Sequence, residues 1–184
     1  VRLDGDWIRK QAQNKRSHLG KILRLNPDGS IPTDNPFFGS ADAEPAVWSY
    51  GHRNIQGMAY DPLREVVWAS EHGALGGDEL NRVAPGQNYG WPAVTYSREY
   101  FGGLKISDTT SKPGMADPVV VWMTAIAPSG LAVYTGARFP QWHGDLFAGG
   151  LQSQDIRRID LDEAGNVIGQ YAVRIGQRVR DVRQ

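Results

Sequence analysis

The chain has 184 residues, with 20 Lys plus Arg against 20 Asp plus Glu, 22 Gly, 11 Pro and no Cys. Balanced charge leaves no global field to draw nucleic acid or an anionic membrane, so any anion must be held by local residues; the absent cysteines exclude disulfides and thiolate metal sites. No apolar run approaches a membrane span and no signal-peptide pattern occurs, while the Gly and Pro content favours short strands and turns over a helical bundle.

Residues 1–19 sustain no period and read as a polar loop, with Arg9, Lys10, Lys15 and Arg16 in solvent. Alternation over residues 21–25 runs into Asn26-Pro27-Asp28-Gly29, a strand closed by a turn. Its apolar-x-Arg-apolar pattern returns at 79–83 and 155–160. A second pattern, Glu-Pro-Ala-Val-Trp at 44–48, returns as Asp-Pro-Val-Val-Val-Trp at 117–122. Each is followed by a small-residue strand, at 57–60 and 130–134, and then by an apolar run, at 66–69 and 145–148.

Four strand types recurring in one order predict an all-β chain, a β-propeller of four-stranded antiparallel blades. Turn-rich alternation by itself fits a β-sandwich equally well; the repeated order selects the propeller. The domain spans residues 1–184, with half a blade over 20–52, a blade over 54–123, another over 129–174 and the start of a further one at 179–184. About three blades do not close a ring, since propellers typically have four to eight. The chain therefore reads as a segment of a longer protein, with open blade edges that invite strand pairing between copies. The long loop over 93–117 carries Tyr96, Tyr100 and Phe101 and reads as a wall of a binding cleft in preference to a floppy linker.

Turn chemistry and charge are densest over residues 51–92. Glu71-His72-Gly73 ends a strand, where glycine lets the backbone bend and expose carbonyl oxygens; Asp78 and Glu79 add carboxylates after Gly76-Gly77. Calcium takes six to eight such oxygens. EF-hand spacing is absent, and a solvated acidic turn fits the same residues. Arg53-Asn54 sits at the entrance to an inner strand, where a forked guanidinium can grip a planar acidic ligand and stack on rings, or simply pair with Glu71 or Asp78. Arg178 and Arg180 alternate onto one face of a predicted strand, and two like charges there call for an anion. Of the histidines, His18 and His143 read as structural or exposed, whereas His52 and His72 sit in the dense stretch and are expected to face the cleft. No three-histidine metal spacing, G-x-S-x-G, G-x-G-x-x-G or P-loop occurs.

Six motifs, GKILRLNPDGSIPTDNPF, GHRNIQG, SEHG with DELN, QNYGWP, APSGLAVYTG and QRVRDV, occur in that order from Gly20 onward. Together they resemble the soluble quinoprotein glucose/sorbosone dehydrogenase family, and within it the bacterial aldose sugar dehydrogenases. The resemblance implies a six-bladed propeller, periplasmic or secreted, that holds pyrroloquinoline quinone (PQQ) and calcium (Ca2+). It implies oxidation of the C1 hydroxyl of aldose sugars to lactones by base-assisted hydride transfer, with electrons passed to an external acceptor. Arg53 and Asn54 are then expected to hold the quinone, and Arg178 and Arg180 its carboxylates and quinone oxygens. The carbonyls of Gly73 and Ala74 are expected to bind the calcium that the cofactor also ligates, and Glu79 with the Tyr89 carbonyl a second, structural calcium. The family's catalytic histidine and a cofactor-holding glutamine are expected upstream of Val1, so no residue here is assigned as catalytic and the 184-residue piece is expected to be inactive. Two positions depart from the soluble glucose dehydrogenases, Ala74 in place of proline and Gln152 in place of lysine. Competing readings are a cofactor-free propeller serving as a binding module and a purely structural segment.

Overall fold

The computed structural model describes residues 6–184, leaving aside the Asp6 side chain; the part of the polar-loop reading that falls on residues 1–5 lies outside the described residues. Strands β1 (Lys21–Leu23) and β2 (Val47–Tyr50) form a two-stranded antiparallel sheet. A four-stranded sheet follows in chain order, β3 (Ile55–Asp61), β4 (Val66–Glu71), β5 (Asp78–Val83) and β6 (Val120–Trp122). A second is built from β7 (Pro128–Val133), β8 (Leu146–Gly150), β9 (Asp155–Leu161) and β10 (Val167–Arg174). Every neighbour in both is antiparallel, and the sheets stack as blades of a β-propeller.

The repeated strand types follow from where each strand lies. β3 and β7 are the first strands of adjacent blades and run close together: a Cβ on Gly57 would collide with the Ser129 carbonyl oxygen and with Leu131. Only small residues permit that approach, hence the glycine in each small-residue strand. β4 is covered on both faces, and its period of two separates them. Trp68 faces the core between the two four-stranded sheets, with Leu80, Trp122, Leu131, Leu146 and Ile159. Ala69 faces the other way, onto Ile22 and Val83. Trp68 is fully buried and its indole N–H donates to Asp61 Oδ2 at 3.2 Å, so the ring is apolar in packing and satisfied at its one polar atom.

Some elements differ from the sequence reading. β2 and β6 begin beyond Pro45 and Pro118, because proline brings no N–H to a ladder. Residues 6–10 form a single helical turn, α1 (Asp6–Lys10), too short to declare itself by period. Arg9 is not simply solvated: its guanidinium meets the Glu99 carboxylate at 2.6 and 2.9 Å. Lys15 likewise pairs with Asp42 at 2.9 Å. Residues 179–184 carry no assigned strand and lie along β7, with Val179 N donating to Gly150 O at 3.3 Å and Ser129 Oγ to Val179 O at 2.7 Å.

Candidate functional site: opposed carboxylates beneath an arginine

Antiparallel pairing gathers the dense stretch into one place. Ile55 opposes Glu71 in the β3–β4 register, so the residues just before β3, Arg53 and Asn54, meet the end of β4. The β4–β5 hairpin then sets Glu79 directly across from Glu71. Separations of 10 to 19 positions in sequence collapse to hydrogen-bond distances around Glu71.

Glu71 is almost fully buried and four donors converge on it. Oε1 receives His52 Nδ1 at 3.1 Å and Asn81 Nδ2 at 3.0 Å. Oε2 receives the backbone amides of Arg53 at 2.6 Å and Asn54 at 3.2 Å. His52, itself 2% exposed, completes the line through Nε2 to Ser49 Oγ at 2.9 Å and stacks on Tyr89 with centroids 4.5 Å apart. Burial alone would raise the Glu71 carboxyl; the His52 contact and the two amides override it and hold Glu71 below the usual carboxylate range. Among the described residues Glu79 is met only by Asn81 Nδ2, at 3.4 Å. Burial, then the facing Glu71 charge and, to a smaller extent, that of Asp78 push its carboxyl up to about 8.

Two carboxylates opposed across a ladder are unfavourable unless a proton or a cation lies between them. A cavity of about 10 Å³ beside them is lined by Arg53, Glu71, Gly73, Glu79, Tyr89 and Trp91, about the space that one water or one ion requires. Asn81 Oδ1, on the residue that bridges both carboxylates, is buried without a hydrogen-bond partner. These features fit a hard cation. Among the described residues no group of three or more His, Cys, Asp or Glu is arranged to hold a metal, so a cation here must draw on backbone carbonyls as well.

Asp78 does different work from Glu79. Its Oδ1 accepts Gly73 N at 2.9 Å and its Oδ2 accepts Ile126 N at 2.9 Å and Ala127 N at 2.8 Å. The carboxylate is consumed in fixing the Gly73 turn to the connection between blades. Ala74 N donates to Ser97 Oγ at 3.0 Å, which ties the same turn to the long loop. A Cβ on Gly73 would run into the carbonyl oxygens of Gly76 and Gly77, so this turn is built for glycine. Tyr89 is held by its hydroxyl, which donates to Arg82 O at 2.6 Å and accepts Ala84 N at 2.9 Å.

Arg53 is the cation above this cluster. Its guanidinium donates to His72 O at 2.9 Å and Tyr100 OH at 3.2 Å, and lies 5.3 Å from the Trp91 ring centroid and 5.9 Å from that of Tyr100. Among the described residues no carboxylate pairs with it, so the pairing with Glu71 or Asp78 considered from sequence does not form through the side chain; Glu71 takes the Arg53 backbone instead. Tyr100 brings the 93–117 loop onto the site, whereas Phe101 is 93% exposed. Asn54 is exposed, and its Oδ1 accepts Gln56 Nε2 at 2.8 Å. Arg178 and Arg180 are exposed beyond the start of β7, and neither lines the two cavities that Arg53 lines.

The family model for Glucose / Sorbosone dehydrogenase matches residues 3–184. The chain belongs to the glucose/sorbosone dehydrogenase family. An uncharacterized protein of Synechocystis sp. is 57% identical over 184 residues, covering all of this chain and 45% of that protein. The aldose sugar dehydrogenase of Escherichia coli is 41% identical over 180 residues, 95% of this chain and 48% of that one. The PQQ-bound aldose sugar dehydrogenase of Streptomyces coelicolor superposes with a TM-score of 0.72 at 36% identity, over 94% of this chain and 45% of that one. The chain thus spans about half the length of the relatives it matches. No helix among its described residues is long and apolar enough to cross a membrane.

Within this family member, sequence reasoning passed over Asn81, Trp91 and Ser49. Only Trp91 carried a signal, an aromatic beside a turn. Ser49 and Asn81 are ordinary strand residues until the fold turns them toward His52 and Glu71.

Proposed function

We propose that this chain forms part of the cofactor cradle of a PQQ- and calcium-dependent sugar dehydrogenase that oxidises the C1 hydroxyl of aldoses. The observation that carries the proposal is Arg53, a guanidinium flanked by Trp91 and Tyr100 with no carboxylate partner among the described residues. Such a group suits a flat, multiply carboxylated ligand, which its fork can bind and its plane can stack upon. Asn54 is a neighbouring polar contact, and Arg178 and Arg180 supply further exposed positive charge for the cofactor's carboxylates. Gly73 and Ala74 would hold one calcium through their carbonyls, and Glu79 with the Tyr89 carbonyl a second that replaces the proton between Glu79 and Glu71. When bound, the quinone supplies the hydride acceptor and calcium the Lewis acid that polarises it.

The chain's own residues bind, orient and exclude water; none is assigned as the base. Both ring nitrogens of His52 are engaged, by Ser49 and Glu71, and His72 Nε2 is engaged by the Pro128 carbonyl at 2.7 Å. Base and sugar contacts belong to the rest of the ring, as does delivery of electrons to an external acceptor in the periplasm or outside the cell. Titration of PQQ into the chain with calcium, followed by the cofactor's absorbance, should show saturable binding that Arg53→Ala or Arg180→Ala weakens at least tenfold. Equal binding by parent and both variants would refute the assignment, and robust aldose oxidation by the 184-residue chain alone would refute the placement of the base elsewhere.

A further inference from the structure

Resting on the cradle reading above, we infer that Glu71 is a positioning residue: with His52 and Ser49 behind it, it fixes the backbone from which Arg53 and Asn54 reach the cofactor. The geometry is specific to that task. Arg53 and Asn54 precede β3 and have only a short tether to it, yet both of their amides end on one carboxylate oxygen, at 2.6 and 3.2 Å. Asn54 O in turn accepts His72 N at 3.0 Å, and Arg53 Nη1 reaches His72 O at 2.9 Å, so the two segments are laced at three levels.

Donor and acceptor roles along the line follow from the amides. Since Glu71 Oε2 faces two N–H groups and Oε1 faces the Asn81 amide nitrogen, the carboxylate acts only as an acceptor. His52 must then donate from Nδ1, which leaves Nε2 to accept the Ser49 hydroxyl. All three side chains are buried, at 0% for Ser49, 2% for His52 and 3% for Glu71. The Ser-His-Glu order resembles a nucleophile relay, but its serine faces no substrate-sized space among the cavities described. Its output is the orientation of the carboxylate, and through it of Arg53.

The isosteric Glu71→Gln variant tests this. Gln retains one oxygen for the Arg53 and Asn54 amides, His52 can exchange tautomer to accept the new N–H, and the buried Asn81 Oδ1 is available if that amide flips, so the variant is expected to fold. The charge-assisted bonds become neutral ones, a weakening of roughly tenfold in the equilibrium that holds these amides. In the parent and variant 184-residue chains, amide hydrogen exchange at Arg53 and Asn54 should therefore accelerate about tenfold, while amides of the β4–β5 ladder keep their rates. Unchanged exchange at Arg53 and Asn54, or uniform acceleration across the ladder, would overturn the inference whether or not the chain binds PQQ. A second arm reads the cofactor: Glu71→Gln should weaken PQQ binding about tenfold in the parent and less than twofold in an Arg53→Ala background, because it acts through Arg53. Equal losses in both backgrounds would overturn the inference, whereas a parent that binds no PQQ would sink the cradle reading and leave the exchange result to decide the role of Glu71.

Discussion

Asp78→Asn is a sharp test of how the Gly73 turn is held. The Asp78 side chain is buried and its two oxygens accept three backbone amides, Gly73 N, Ile126 N and Ala127 N, all within 2.9 Å. Asn offers one oxygen. Kept on Ile126 and Ala127, it leaves the new NH2 facing the Gly73 N–H, donor against donor. Two bonds fall from charge-assisted to neutral strength, about 1 kcal/mol each, and a buried donor is left unsatisfied at about 1–3 kcal/mol. Removing a negative charge near Glu71 and Glu79 returns about 1 kcal/mol. The net loss is about 3 kcal/mol, or a fall in Tm of roughly 6–12 °C for a chain of this size. Urea unfolding followed by tryptophan fluorescence measures it directly, with circular dichroism as the second probe. A loss below about 1 kcal/mol would refute the claim that this carboxylate pins the turn to the neighbouring blade connection.

Two further substitutions probe the cluster and the core. Gly73→Ala places a methyl against the Gly76 and Gly77 carbonyl oxygens and should cost about 1–3 kcal/mol while weakening calcium binding about tenfold, read by calorimetric titration. Gly29→Ala, at φ +85° with open space around it, should carry about 1–2 kcal/mol of strain and leave calcium affinity unchanged. Asp145 is buried, with Arg158 Nε no closer than 3.6 Å, and burial followed by the neighbouring Asp160 pushes its carboxyl up to about 6. A carboxyl raised on folding contributes stability that is fully present below its ordinary value and lost as pH rises through about 6. Asp145→Asn should therefore flatten the urea midpoint between about pH 4 and pH 7 and add about 2 kcal/mol at neutral pH; an unchanged slope would refute the assignment.

The propeller was legible because the fold repeats its physical demands. Each inner strand needs a glycine where its neighbour approaches, the second strands are apolar, and the last strands β2 and β6 each follow a proline, so Gly57, Trp68 and Pro118 announce themselves by position. What stayed hidden depends on pairing between strands. Glu71 and Glu79 read as turn residues until the β4–β5 register opposes them, and Asp78 looked like a second cation ligand because its three amide partners lie 5, 48 and 49 positions away. His52 was expected to face the cleft; stacking on Tyr89 and two engaged ring nitrogens place it inside. Arg9 read as solvated because its carboxylate partner lies 90 positions downstream, in a loop without any period. Arg53 and Asn54 stood out by their place at the entrance to an inner strand, but whether Arg53 pairs with Glu71 or Asp78 stayed open, since a guanidinium without a carboxylate is a property of three-dimensional surroundings.

The cradle that we propose this chain contributes for a carboxylated quinone is calcium-assisted. Calorimetric titration of PQQ into the chain, once in chelator and once in saturating calcium, tests it most directly. The account predicts one PQQ per chain and an affinity at least tenfold tighter with calcium, with the reciprocal gain in calcium affinity when PQQ is present. Identical PQQ affinity in chelator and in calcium would contradict it.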